Sequence, residues 1–368
     1  MAPPGHRELM VLPAWPRGEG RMTETTADMA KRARATGRAS VSARAQPQPR
    51  HGEKDAARLD APHVERAPGA VASTGCAASR AASGGAGAAG MSLPAAQART
   101  ESYYDSLEAE TFYAHLWGGE DLHIGIFDGT DDIRTASDNT IAAMLARLPQ
   151  LGPTAQVLDM GAGYGGAMRM VVGRTGCRAT CLNLSRRQNA RNLCKIEEAG
   201  LQSLITVRHG MFEDVPAPDG QFDVVWSQDA FLHSDRRYAV LREAWRVLRP
   251  GGDLIFTDPM QVDGADPSAL QAVYDRLNLD SLGSPGFYRA TAEAIGFTCL
   301  AQDDMTGHLR TTYARVRDAL WDHHAMLLTE GASADWLDRM ATGLETWVKA
   351  ADAGQLAWGI QHFRKPKA

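Results

Sequence analysis

The chain of 368 residues carries 39 Lys and Arg against 44 Asp and Glu, a formal net charge of −5. The imbalance is uneven: residues 1–90 hold 13 basic and 8 acidic side chains, which leaves 26 against 36, or −10, from Met91 onward. An acidic body lacks the clustered Lys and Arg that neutralise phosphates, which argues against a nucleic-acid partner, and no run approaches the roughly 18 apolar residues of a membrane span.

Residues 1–90 contain one aromatic residue, Trp15, among Ala, Gly, Ser, Pro and Arg, as in Ala81-Ala-Ser-Gly-Gly-Ala-Gly-Ala-Ala-Gly90. Such a composition cannot bury enough apolar surface to offset its ordering entropy, so a disordered leader is expected. Its Arg and Ser content has some character of an organelle transit peptide, but it contains acidic residues and lacks a clear amphipathic period. The alternative is an upstream start, with Met91 opening the functional chain. No apolar core of a secretory signal is present. The cysteines Cys76, Cys177, Cys181, Cys194 and Cys299 are odd in number and lack C-x-x-C spacing. This points away from a disulfide framework or a metal site and toward a reducing, cytoplasmic compartment.

From Met91 the periodicity becomes readable, as one domain over residues 91–368. Glu101 to Leu116 reads as an aromatic-rich helix, and Asp138 to Leu148 places Ile141, Met144, Leu145 and Leu148 on one helical face behind an Asp138 cap. Strand-like and helix-like runs then alternate: a strand over Gln156–Asp159, a glycine loop, a helix over Ala167–Arg174, a strand over Cys177–Leu184 and a helix over Arg186–Ala199. Strands follow over Leu204–Arg208 and Phe222–Ser227, then a helix over Arg236–Leu248, and a strand over Asp253–Thr257 after the turn Arg249-Pro-Gly-Gly252. This alternation predicts an α/β fold, a doubly wound, mostly parallel sheet whose ligands sit beyond the carboxyl ends of the strands. The pattern loosens from Gln261 to Leu282, then gives a helix over Gly286–Gly296 and a strand over Phe297–Ala301. Amphipathic helices over His308–Thr329 and Ala334–Ala351 stand before a last strand, Gln355–Phe363. They interrupt a hairpin of the final two strands, and a lid over approximately residues 306–352 is expected.

Val157-Leu-Asp-Met-Gly-Ala-Gly-Tyr-Gly-Gly166 is a strand that ends in an acidic residue and turns through glycines into a helix. Glycines let the backbone approach a nucleotide-like ligand where a side chain would block it. Gly161, Gly163 and Gly166 also satisfy the G-x-G-x-x-G of dinucleotide enzymes, so the loop alone is ambiguous. Asn183 ends the second strand about twenty residues on, where a hydrogen-bonding side chain can hold ribose hydroxyls. Gly220-Gln-Phe-Asp-Val-Val-Trp-Ser227 and Leu241-Arg-Glu-Ala-Trp-Arg-Val-Leu-Arg-Pro-Gly-Gly252 follow at the fourth strand and before the fifth.

Over Gln156 to Pro259 this series resembles the class I methyltransferase superfamily. The resemblance implies a seven-stranded Rossmann-like sheet with an amino-terminal helical segment and a helical lid inserted before the last strand, with S-adenosyl-L-methionine as cofactor. It places the cofactor against Asp159, Gly161, Ala162 and Gly163, against Asn183, Leu184 and Gln188 after the second strand, between Met211 and Phe212 at the adenine, and near Ser227, with Glu213 as a candidate adenine contact. Trp117 joins this set, as does Arg134, which is equally well read as a surface charge.

Further segments, Phe112-Tyr-Ala-His-Leu-Trp-Gly-Gly-Glu-Asp-Leu-His-Ile-Gly125, Trp226-Ser-Gln-Asp-Ala-Phe-Leu-His-Ser234, Leu282-Gly-Ser-Pro-Gly-Phe-Tyr-Arg289 and Leu356-Ala-Trp-Gly-Ile-Gln-His-Phe-Arg-Lys-Pro366, resemble the sarcosine/dimethylglycine N-methyltransferases of glycine betaine synthesis. Asp229-Ala-Phe-Leu-His233 is more distantly similar to phosphoethanolamine methyltransferases, which implies that Asp229, His233 and Tyr113 surround an acceptor amine. Asp229 and His233, four apart, are expected on one face of a helix turn. Tyr113 and Trp117 are candidates to face a cationic nitrogen, while Tyr103, Tyr104, Trp226 and Tyr288 read as core. Arg289 and Arg310 are candidates for the substrate carboxylate. The expected partner is a small amino acid, with no nucleic acid and no membrane, and the enzyme a monomer or homodimer. Glycine or a phosphobase as acceptor, a nicotinamide-dependent oxidoreductase and a non-catalytic cofactor-binding subunit remain the alternatives.

Overall fold

The computed structural model describes residues 106–117 and 119–367. The readings made for residues 1–105, including those of Tyr103 and Tyr104, lie outside the described residues. Two helices precede the sheet, α1 (Leu107–Leu116) and α2 (Ile133–Leu145). The second begins five residues ahead of the expected Asp138 start. Asp132 caps it instead, its carboxylate accepting from the backbone N–H of Thr135 at 2.8 Å. Asp138 lies inside the helix beside Arg134, because the buried Ala136 and Ser137 extend the inward face further back than the apolar pattern suggested.

The sheet comprises β1 (Gln156–Met160), β2 (Arg178–Asn183), β3 (Ile205–His209), β4 (Phe222–Gln228), β5 (Leu248–Thr257), β7 (Thr298–Gln302) and β9 (Ile360–Arg364), in the order β3-β2-β1-β4-β5-β9-β7. Its first five strands pair in parallel, and β9 runs antiparallel to both β5 and β7. Alternation at period two divides the core. Val157, Val224, Trp226 and Ile255 pack with α2, α3 (Gly166–Thr175) and α4 (Arg186–Glu198) on one face. Leu158, Met160, Val225, Leu254 and Phe256 pack with α5 (Arg237–Val247) and α7 (Pro285–Ile295) on the other. Strand order reverses between β1 and β4, the place where such sheets bind ligands.

A third apolar cluster joins α1 to three helices inserted between β7 and β9, namely α8 (Thr306–Asp322), α9 (His324–Thr329) and α10 (Ala334–Asp352). The expected helix over residues 308–329 is two, parted at His323, whose φ of −106° leaves the helical range. The loosely patterned stretch after β5 holds a short strand, β6 (Met260–Gln261), and a short helix, α6 (Gln271–Leu277).

The expected last strand is also divided. β8 (Leu356–Ala357) pairs with β6, and β9 takes over after Trp358-Gly359. A Cβ on Gly359 would lie 1.7 Å from the carbonyl oxygen of Asp303, so only glycine lets the chain pass there. This break has a functional consequence, because it turns the indole of Trp358 onto Asp229. Among the described residues, no helix is long and apolar enough to cross a membrane.

Candidate active site

Two adjoining cavities open at the carboxyl ends of β1 and β4. The larger is lined by Asp159, Gly161, Ala162 and Gly163 from the first strand and its loop, by Asn183, Leu184 and Gln188 from the end of β2 and the start of α4, and by Met211, Phe212 and Glu213 after β3. Local capping builds these positions. Ser185 accepts from the N–H of Gln188 at 3.0 Å, and the Asn183 amide donates to Gln188 Oε1 at 2.9 Å, which fixes the second-strand end. Gly161 stands at φ +91°, where an added Cβ would meet that of Ala230 at 2.4 Å, so the glycine loop nests directly against the turn after β4.

Asp121 is a further acid of this cavity. Its carboxylate accepts from the N–H of Ala167 at 2.9 Å, at the start of α3, and lies within 4.0 Å of His123. Burial together with the neighbouring Asp121 pushes the Asp159 carboxyl up to about 8. Burial also raises Asp121.

Asp229, Leu122 and His233 line the larger cavity and the smaller one, which adds Tyr113, Trp117, Tyr313, Leu232 and Arg276. Asp229 has a left-handed backbone, φ +51°, at a cost of roughly 1–2 kcal/mol. Its carboxylate accepts from the N–H of Ile124 at 2.6 Å and from the Trp358 indole N–H at 2.8 Å. Strain of this kind persists only when the surroundings over-determine it, and both donors come from distant segments of the chain. Burial raises Asp229, while these donors and His123 hold it back.

His233 ends a 3-10 turn (Phe231–His233) rather than an α-helical one. Asp258 fixes that turn by accepting from the N–H of Leu232 at 2.9 Å and from the Tyr288 hydroxyl at 2.6 Å, and Arg237 donates to the Leu232 carbonyl. Burial, reinforced by the positive charge of Arg237, lowers His233 to about 4, so its imidazole is neutral at physiological pH.

Residues 158–256 match the family model described as "Methyltransferase domain". The sarcosine/dimethylglycine N-methyltransferase of Halorhodospira halochloris is 48% identical over 264 residues, 72% of this chain and 94% of that protein. The enzyme of the same name from Aphanothece halophytica is 44% identical over 269 residues, 73% of this chain and 97% of that protein. This chain belongs to the sarcosine/dimethylglycine N-methyltransferase family. A solved structure from Galdieria sulphuraria superposes with a TM-score of 0.68 at 39% identity, covering 72% of this chain and all of that one.

Within this family member the structure gathers most of the residues expected from the sequence and displaces five. Trp117 lines the smaller, acceptor-side cavity rather than the larger one, its indole N–H donating to the His123 carbonyl at 2.8 Å. Arg134 lies half-exposed beside Asp138 and lines neither cavity. Ser227 is spent on the sheet, its hydroxyl donating to the Met160 carbonyl at 2.6 Å. Glu213 does line the cavity, and it accepts from the Ser234 hydroxyl at 2.5 Å. Arg289, which donates to Gln302, and Arg310, which pairs with Asp352, also lie outside both cavities.

Several site residues were missed. The segment Asp121–Ile126 ties the glycine loop (Asp121 to Ala167), Asp229 (Ile124), α8 (Gly125 N–H to Thr312 at 3.2 Å) and α2 (Ile126 N–H to the Ala136 carbonyl). Its alternation of Asp, Leu, His, Ile and Gly was the available signal. Gln228 lines the larger cavity as well; its oxygen accepts from Trp226, and its buried amide nitrogen has no partner among the described residues. No group of three or more His, Cys, Asp or Glu among the described residues is placed to hold a metal.

Proposed function

We propose that the chain transfers methyl groups from S-adenosyl-L-methionine to the amine nitrogens of sarcosine and dimethylglycine, giving dimethylglycine and glycine betaine. The observation that carries this reading is that Asp229 and His233 line both cavities, so one pair of side chains faces a nucleotide-sized compartment and a small aromatic one at once.

The larger compartment fits the cofactor. Its floor is bare at Gly161 and Gly163, Met211 and Phe212 offer apolar faces to a purine, and Asp121 and Asp159 suit a cationic ligand, with no Lys or Arg in the lining among the described residues. When bound there, S-adenosyl-L-methionine supplies a methyl group activated on a sulfonium centre. The protein's part is alignment and exclusion of water. Tyr113, Trp117 and Tyr313 surround the acceptor compartment, with ring centroids 5.5 Å apart for Tyr113–Trp117 and 6.3 Å for Trp117–Tyr313. Aromatic faces attract an ammonium by roughly 0.5–2 kcal/mol.

The acceptor amine arrives mostly protonated and must expose its lone pair. Neutral His233 accepts that proton, directly or through water, and Asp229, held by two donors, attracts the ammonium and orients the nitrogen. α8 and α10 act as the lid that keeps water from this compartment. The acceptor compartment measures about 390 Å³ including its mouth, which suits a small amino acid. Among the described residues its one guanidinium suits a carboxylate, whereas a phosphate would call for several basic groups. Mass spectrometry of products from glycine, sarcosine, dimethylglycine and phosphoethanolamine with methyl-labelled cofactor is the test. Label is expected in dimethylglycine and glycine betaine; label confined to a phosphobase would overturn the acceptor assignment.

Asp159 gives the cofactor cavity a pH signature. The ligand-free protein keeps a proton on Asp159 up to about pH 8, whereas an unfolded chain loses it near the ordinary carboxylate value of roughly 3.9. The folded state therefore binds the extra proton between these limits. The contribution of Asp159 to stability is fully present below about pH 4 and is lost as pH rises through about 8. The α-ammonium of S-adenosylhomocysteine, set beside Asp159, favours the carboxylate, so binding of this ligand near pH 7 should release protons. Calorimetric heats should then depend on the ionisation heat of the buffer, and the Asp159→Asn variant should lose that dependence. Heats equal in phosphate and in Tris would rule the linkage out.

A further inference from the structure

We infer that Arg276 holds the carboxylate of the acceptor and thereby selects amino acids over amines that lack one. The inference rests on the two-cavity reading above. Arg276 sits in the last turn of α6 and lines the acceptor cavity with Tyr113, Asp229 and His233. Among the described residues, no other Lys or Arg lines either cavity. Arg237, the other arginine close by, is committed to structure, donating to the hydroxyl and carbonyl of Ser281 and to the carbonyl of Leu232.

The surroundings of Arg276 are built for its side chain. A Cβ at Gly343 of α10 would lie 2.6 Å from Arg276 Cδ, so that helix leaves a bare place through which the stem passes. The guanidinium carbon lies 5.4 Å from the centroid of the Tyr313 ring and 6.0 Å from that of Trp347, and Nη2 donates to the Met340 thioether at 3.3 Å. Aromatic faces and a thioether orient the planar fork. In sarcosine and dimethylglycine one carbon separates amine from carboxylate, so a bidentate grip on the carboxylate fixes the nitrogen near Asp229 and His233.

The test compares Arg276→Met, which keeps the length of the stem, and Arg276→Lys, which keeps the charge, with the full-length wild-type chain. Substrates are dimethylglycine and the carboxylate-free N,N-dimethylethanolamine. For Arg276→Met, a rise of roughly 10- to 100-fold in KM for dimethylglycine is expected, with kcat less affected. Activity on dimethylethanolamine should hold or rise, S-adenosylhomocysteine affinity should be unchanged, and Arg276→Lys should fall between. Gly343→Ala, which crowds the stem without touching the charge, should raise KM for dimethylglycine in the same direction. Equal losses on both amines, or an unchanged KM for dimethylglycine in Arg276→Met, would overturn the assignment. Should the wild type methylate neither sarcosine nor dimethylglycine, the proposed function fails by itself. Arg276 is then judged by calorimetric binding of dimethylglycine to the S-adenosylhomocysteine-loaded protein, where loss in Arg276→Met supports the role and retention refutes it.

Discussion

Replacing His233 by alanine is expected to lower kcat by a factor of roughly 10² to 10⁴ while cofactor affinity stays within a few-fold of wild type. The argument is positional. His233 closes the 3-10 turn that follows β4 and lines both cavities, whereas the cofactor compartment is contributed mainly by the ends of β1, β2 and β3. Because burial and Arg237 lower His233 to about 4, wild-type turnover should also lack the fall near pH 6.5 that an ordinary histidine base would impose. Asp229→Asn should behave differently. Both carboxylate oxygens accept hydrogen bonds, so the amide nitrogen must face either the Ile124 N–H or the Trp358 indole. A buried donor left facing a donor costs about 1–3 kcal/mol. The variant should therefore be less thermostable and show a raised KM for dimethylglycine as well as a lower kcat. Steady-state kinetics over a range of pH, with S-adenosylhomocysteine affinity measured separately, decide the matter. Near-normal turnover in His233→Ala would move proton acceptance elsewhere in the aromatic cavity.

The division of labour between sequence and structure follows from the range of the interactions. β1 to β5 and the helices between them were legible because burial on both faces writes apolar runs into the strands and amphipathic periods into the helices. The glycine loop, Asn183 and the Asp229–His233 pair were legible for a local reason: each is a short motif at the carboxyl end of a strand. What escaped depends on contacts between distant segments. Ile124 and Trp358 meet Asp229 across 105 and 129 residues of chain, and neither carries a pattern that names its partner. Arg276 lies in a stretch where periodicity is weak, since α6 spans only two turns and buries only Val273 and Tyr274. Arg289 and Arg310 were candidates because a planar fork fits a carboxylate, yet their guanidiniums serve Gln302 and Asp352. The start of α2 was misplaced because the inward face there begins with the small Ala136 and the polar Ser137, which is buried and bonded to His123, and a reading of apolar period passes over them.

The glycine loop should separate two roles that lie two residues apart. Gly163→Val is expected to weaken S-adenosylhomocysteine binding by more than about 100-fold, an effect larger than its cost to the fold. Gly163 lines the cavity at φ +53°, where a valine is strained by about 1–3 kcal/mol, but a Cβ there meets nothing closer than Leu122 Cδ1 at 3.4 Å, so the fold bears that strain without a clash while the ligand loses its place. Gly161→Ala is the smaller substitution and should do more general harm. At φ +91° its Cβ would lie 2.4 Å from that of Ala230, next to Asp229 and two residues before Leu232, whose N–H anchors the turn to Asp258. Backbone strain and overpacking each cost about 1–3 kcal/mol, which for a domain of this size lowers the midpoint by roughly 5–15 °C. Relief by moving Ala230 shifts Asp229 and His233 with it, so kcat should fall along with cofactor affinity in the molecules that remain folded. Thermal melts, calorimetry with S-adenosylhomocysteine and steady-state kinetics on the two variants distinguish these outcomes. Unchanged affinity in Gly163→Val would place the cofactor elsewhere, and a Gly161→Ala enzyme that binds weakly yet turns over normally at saturation would show that the loop and the catalytic turn are not mechanically joined.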